Sequence, residues 1–247
     1  MKIILSPAKK MNVDTDTLAA KGLPVYLEDT KILLKWMQGQ SYEELKKLWK
    51  CNDKIAHQNM ERIREMELEQ GLTPALLSYE GIAYQYMAPA VFEDGHIDYV
   101  QEHLRILSGF YGVLRPLDGV MPYRLEMQAK AAVPGSKDLY EFWERKIYEQ
   151  VRDESGIVIN LASKEYSRCV EKYLQEEDTC ITCIFGEISQ GKLVQKGTYA
   201  KMARGEMVRF MAERQIENPE EMKAFDRLGY QFREDISTDD IYVFERK

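Results

Sequence analysis

Apolar positions follow two rhythms along the chain. Short continuous apolar runs at Lys2–Ser6 and Gly156–Leu161 predict buried strands. Thr179–Ser189, rich in β-branched residues, predicts a longer strand that turns at Gln190-Gly191 and returns over Lys192–Gln195 as a hairpin. Tyr230–Ile236 and Ile241–Glu245 predict a closing hairpin around Ser237-Thr238-Asp239-Asp240. Helical spacing appears at Leu27–Gln38, Asp98–Ser108, Asp138–Arg152 and Thr198–Arg214. In the third of these, Leu139, Phe142, Trp143, Ile147 and Val151 mark the core side.

Local signals punctuate these runs. Ser41-Tyr42-Glu43-Glu44 reads as a capping box opening a helix to about Lys50, and Asn52 caps a second from Asp53 to about Glu67. Together they form a helical hairpin joined by Cys51-Asn52. Thr73-Pro74 predicts a helix start with Pro in the first turn, and Ser163 a cap for a helix running toward Leu174. Asn218-Pro219 opens a further helix that Gly229 ends. No repeat, low-complexity tract or linker interrupts the pattern. The expectation is one compact α/β domain over residues 1–247, with a central mixed sheet and surrounding helices.

Composition narrows the class. Hydrophobic residues make up 45% of the chain, which excludes a disordered polymer. No stretch approaches the roughly 20 apolar residues that span a bilayer, and the apolar start is too short for a signal peptide, so a cytoplasmic protein is expected. Its four cysteines are then expected to be reduced. Cys180 and Cys183, on a strand, point to opposite faces rather than forming a redox pair. No zinc set is completed, and the three histidines are scattered, so neither metal nor cofactor is expected.

The net charge of -7 is unevenly spread. Lys192–Arg214 holds six basic residues (Lys192, Lys196, Lys201, Arg204, Arg209, Arg214) against two acids, whereas the tail from Gln215 holds nine acids against five bases. Lys201 and Arg204 share a helix face. That face is either a solvated surface or a phosphate site, and Gly205 beside it permits close approach of a ligand or another backbone.

Nucleotide-loop, metalloprotease and nucleophile-elbow fingerprints are missing. Between Leu104 and Met127, Gly109, Gly112, Pro116 and Pro122 predict irregular backbone that carries Arg115, Asp118, Arg124 and Glu126. These groups either fix a connection through ion pairs or line a site. Asn160-Leu161-Ala162-Ser163-Lys164-Glu165-Tyr166 passes from strand end to helix start, a place where anions bind, although Ser163 and Glu165 also suit a plain helix start. Lys46, Lys47, Lys50 and Lys54 crowd the helical hairpin, whose turn could present amides to a DNA phosphate but lacks glycine.

Taken together, several segments resemble the YaaA family of peroxide stress resistance proteins. They are Ile4–Lys9, Leu107–Asp118, Pro122–Met127, Lys137–Trp143, Val158–Tyr166 and Tyr199–Met207. The resemblance implies a single α/β domain of unusual topology, a role in hydrogen-peroxide resistance through limiting free iron, and DNA binding by a helix-hairpin-helix element beside a basic cleft. That element matches loosely here at Trp49–Ala56, where His57 and Gln58 replace an expected small residue. The expected function is therefore phosphate-backbone binding to double-stranded or structured DNA, with a monomer as the default state. Its expected contacts are Lys9, Lys50, Lys54, Arg115, Arg124, Ser163, Lys164, Lys201, Arg204 and Arg209, with Asp118, Glu126 and Glu165 as cleft carboxylates. The alternative is an enzyme acting on a nucleotide or damaged base through the same cations and carboxylates. Direct iron handling is a third, weaker reading, because imidazole and thiolate ligands are sparse.

Overall fold

Lys2-Ile3-Ile4-Leu5 is buried along its whole length and forms the first strand, β1, of a computed structural model that describes residues 1–247. The two-residue β2 (Lys10–Met11) follows, then α1 (Leu27–Gln38), α2 (Tyr42–Trp49) and α3 (Asp53–Glu65). Short elements β3 (Thr73–Pro74), α4 (Ala75–Ser78), β4 (Tyr79–Glu80) and α5 (Ile82–Met87) lead to α6 (Asp94–His103), β5 (Leu104–Ser108), β6 (Gly112–Leu114) and β7 (Gly119–Val120). Next come α7 (Leu139–Trp143), α8 (Lys146–Val151), β8 (Ile157–Asn160) and α9 (Lys164–Glu171). The chain closes with β9 (Thr179–Ser189), β10 (Lys192–Val194), the long α10 (Gly197–Arg214), β11 (Tyr230–Phe232) and β12 (Ile241–Arg246), with 3-10 turns between. No helix is long and apolar enough to cross a membrane.

The main sheet has eight strands in the order β11-β12-β9-β8-β1-β5-β6, with β10 paired to β9. The five inner strands run parallel, and β6, β10 and β11 are antiparallel. This is the mixed sheet expected. Parallel strands covered on both faces need near-continuous apolar sequence, which β1 and β5 supply. Helices α6 and α8 pack on β1, and α10 packs on β9.

The helical hairpin forms as read. Ser41 and Glu44 complete the capping box, and the Asn52 side chain accepts from the amide of Ile55. Four expectations are corrected. Asp98–Ser108 is the end of α6 followed by β5, because the apolar run Leu104–Leu107 pairs with β1 (Ile3 opposite Leu104). Such a run fits either element, and only the partner strand decides. Thr73-Pro74 pairs with β7, so Pro74 precedes α4 instead of opening it. Asp138–Arg152 is broken into α7 and α8 at Glu144, whose φ is 42°. The helix expected between Asn218 and Gly229 is two 3-10 turns.

Candidate functional site

β1 and β8 are parallel neighbours, so their carboxyl ends lie side by side. The chain leaves β1 for β5 on one side and later places β8 on the other, which makes this a topological switch point. A cleft of about 390 Å³ opens there. Ser6-Pro7-Ala8-Lys9, Tyr123–Glu126, Ser163, Glu165 and Tyr166 form its walls, and Lys201 and Arg204 of α10 reach its mouth.

Each wall is held by local chemistry. The Ser6 hydroxyl accepts from the Ser163 amide at 2.8 Å and lies 3.2 Å from the Ser163 hydroxyl. Ser163 therefore ties the two strand ends together and makes no side-chain cap bond, which corrects the expectation of a serine cap. The strap Leu125–Met127 crosses directly over Gly109, where a Cβ would meet the Leu125 carbonyl at 2.5 Å. Beneath it, the Tyr123 hydroxyl lies 2.6 Å from Ser108 Oγ and 2.8 Å from the Tyr79 hydroxyl. The Tyr84 hydroxyl donates to the Ser6 carbonyl at 3.1 Å. A polar network thus fixes an otherwise aromatic floor.

The cleft's cations divide into paired and unpaired. Lys9 meets Glu126 at 2.9 Å, and Lys10 meets Glu80 at 2.6 Å. Arg124 lies 3.6 Å from Glu126 and donates to the Trp49 carbonyl at 3.5 Å, which joins the cleft to the end of α2. Lys201 and Arg204 have no carboxylate partner, and the Nε atoms of both Arg124 and Arg204 are buried without a hydrogen-bond acceptor. Burial lowers the Arg204 pKa. Burial also raises the Glu165 carboxyl pKa, against the opposing pull of the Gln128 amide, which donates to it at 3.2 Å. Two unneutralised cations above an aromatic floor can hold an anion bearing a flat ring.

Lys9, Arg124, Ser163, Lys201, Arg204, Glu126 and Glu165 lie around this one cleft. Others do not. Arg115 and Asp118 line a separate pocket. Lys164 pairs with Glu171, and Arg209 pairs with Glu213 at 2.7 Å. Lys50 and Lys54 are exposed at the turn of the α2–α3 hairpin, outside the cleft wall. Sequence reasoning missed Ser6, Lys10, Glu80, Tyr84 and Tyr123. The strand-end rule applied to Asn160–Tyr166 would have found Ser6, which follows β1 in the same way. The four cysteine thiols are free, and burial pushes the Cys180 thiol up to about 11 and the Cys183 thiol higher still, which suits inert core groups.

A family model described as peroxide stress protein YaaA matches residues 1–236. A UPF0246 protein of Agathobacter rectalis is 64% identical over 247 residues, covering 100% of this chain and 99% of its own length. UPF0246 proteins of Pediococcus pentosaceus and Lachnoclostridium phytofermentans are 54% and 53% identical, each over 99% of this chain and 97% and 96% of their own lengths.

Proposed function

The chain belongs to the peroxide stress protein YaaA family, and from that premise we propose that it acts in peroxide stress by binding double-stranded or structured DNA through the cleft at the ends of β1 and β8. The observation that carries this reading is the pair Lys201 and Arg204, which reach into the cleft with no carboxylate to neutralise them. A cleft of about 390 Å³ is small-ligand size and far too narrow for a duplex. The backbone therefore lies across its mouth, with a phosphate on Lys201 and Arg204 and one unstacked base above the tyrosine floor. The α2–α3 hairpin adjoins through Arg124 and adds Lys50 and Lys54 to the same approach. In this reading the family's link to low free iron acts alongside DNA protection and needs no metal site on the chain.

Fluorescence anisotropy with a labelled duplex and with a duplex carrying an unpaired base tests the proposal. Binding at low salt that weakens steeply as salt rises, and that falls in Lys201→Ala and Arg204→Ala, supports it. Duplex binding that is absent at low salt, or indifferent to both substitutions, overturns it. A second reading, chemistry on a nucleotide or damaged base, is favoured by the raised Glu165 carboxyl beside these cations. It requires product formation that Glu165→Gln abolishes while binding survives.

A further inference from the structure

At the opposite end of the sheet lies a second cavity, of about 290 Å³, near the start of β5. Lys21, Gln101, Arg105, Arg115, Asp118 and Gln150 line it. Three of these six are cations, and none of the three pairs with a carboxylate. Asp118, the one acid, is occupied elsewhere: its Oδ2 accepts from the Arg115 amide at 2.8 Å, closing the turn Arg115–Asp118. The lining is therefore a cationic cavity whose one carboxylate lies near Arg115 and Arg105 but makes its hydrogen bond to its own turn and no salt bridge to the three cations.

The cavity is rigidly built. Arg105 is only 5% exposed. Its Nε donates to the Gln150 carbonyl, and its Nη1 to the carbonyls of Gln101, Glu102 and Leu104. Its Nη2 makes no hydrogen bond within the protein. The loop carrying Lys21 is pinned by Lys21 N to the Leu117 carbonyl at 2.9 Å and by Gly119 N to the Gly22 carbonyl at 2.8 Å. Leu117 N donates in turn to the Gln101 side chain at 2.9 Å. Burial lowers the Arg105 pKa, and the like charge of Arg115 lowers it further. Two guanidinium groups that repel one another, Arg105 held by main-chain carbonyls and neither closed off by a salt bridge, are an arrangement that a bound anion relieves.

We propose that this cavity is a second, separate binding site for a small phosphate-bearing anion. The bidentate fork of an arginine matches phosphate oxygens, and Lys21 supplies a point charge on the same group. Its size, at the lower limit of small-ligand cavities (roughly 300 Å³), selects inorganic phosphate or a compact phosphate monoester over a nucleotide. The site does not depend on the DNA reading of the β1–β8 cleft.

Calorimetry on the full chain at low salt tests it, with inorganic phosphate and glycerol phosphate as probes. The Lys201→Ala/Arg204→Ala double variant serves as background, so the first cleft is disabled. One equivalent of probe should bind that background saturably. Adding Arg115→Ala or Lys21→Ala, both at exposed positions and confirmed as folded by circular dichroism, should weaken binding tenfold or more. No saturable binding to the background at millimolar probe overturns the proposal, as does binding that neither added substitution changes. Loss of duplex affinity in Arg115→Ala without any binding of free phosphate overturns it too, because the pocket would then serve a phosphate of DNA.

Discussion

A Cβ placed on Gly205 would stand 1.9 Å from the carbonyl oxygen of Ala83. Helix α10 packs on α5 through this point, and the contact sets where Lys201 and Arg204 meet the cleft. Alanine normally favours a helix over glycine by about 1 kcal/mol. Here that gain is outweighed, because backbone cannot yield as a side-chain tip does. Gly205→Ala should lower unfolding free energy by a net amount of about 1–3 kcal/mol, read as a drop in the urea midpoint at unchanged m. A midpoint equal to or above wild type would show that α10 does not need this approach.

With DNA across the cleft mouth, each cation there contributes its own share of the salt dependence. Replacing Lys201 or Arg204 by Ala should reduce the slope of log affinity against log salt by about 1 each, uniformly across DNA sequences. Lys164→Ala and Arg209→Ala should leave the slope nearly unchanged, since those cations already pair with Glu171 and Glu213. Anisotropy titrations at several salt concentrations check both.

Burial raises the Glu165 carboxyl above its usual range, so in the folded protein it takes up a proton at a higher pH than an ordinary glutamate. Protonation removes a negative charge from the cleft wall. DNA affinity should therefore rise as pH falls through that raised value, and Glu165→Gln should bind more tightly at neutral pH with a flatter pH profile. An identical profile in wild type and variant would remove Glu165 from the binding surface.

Asp118 carries a related signature in stability. Burial pushes its carboxyl up to about 6, despite the Arg115 amide and the nearby Arg115 and Arg105 guanidinium groups, which act the other way. The folded state holds this proton more tightly than the unfolded chain does. Its contribution is full at pH below the unfolded value of 3.8 and is lost as pH rises through about 6. Asp118→Asn keeps an acceptor for the Arg115 amide and should stabilise the protein more at pH 8 than at pH 4, by at most about 3 kcal/mol at 1.36 kcal/mol per pKa unit. Urea melts at the two pH values give the difference directly.

Capping chemistry and apolar runs made the hairpin, β1, β8 and β9 legible from sequence, because the deciding interactions are local or follow one strong pattern. Leu104–Ser108 was not legible as a strand, since the choice between helix and strand is made by β1, about a hundred residues earlier. Gly205 and its neighbours Lys201 and Arg204 stood out as an unusual helix segment, and the structure gives the reason in the Ala83 carbonyl. Arg115 and Arg124 looked alike in sequence, both on Pro-bounded irregular backbone. They separate because the strap at Leu125–Met127 folds over Gly109 toward the ends of β1 and β8, while the Arg115–Asp118 turn is bonded to Lys21 and Gly22 at the other end of the sheet. The tyrosine floor gave no signal, because a buried tyrosine near a site reads like any core aromatic.

The central position of β1 has a consequence for synthesis. Ile3 pairs with Leu104 on one side and Ile159 on the other. At roughly 5–20 residues per second, the ribosome delivers the second partner about eight to thirty seconds after the first strand has been made. Until Leu104 emerges, Ile3, Ile4 and Leu5 form an unpaired apolar strand on the nascent chain, and until Ile159 emerges one edge of that strand stays open. The cleft at the ends of β1 and β8 cannot form until β8 docks, so the nascent protein depends on whatever shields those three residues from its neighbours.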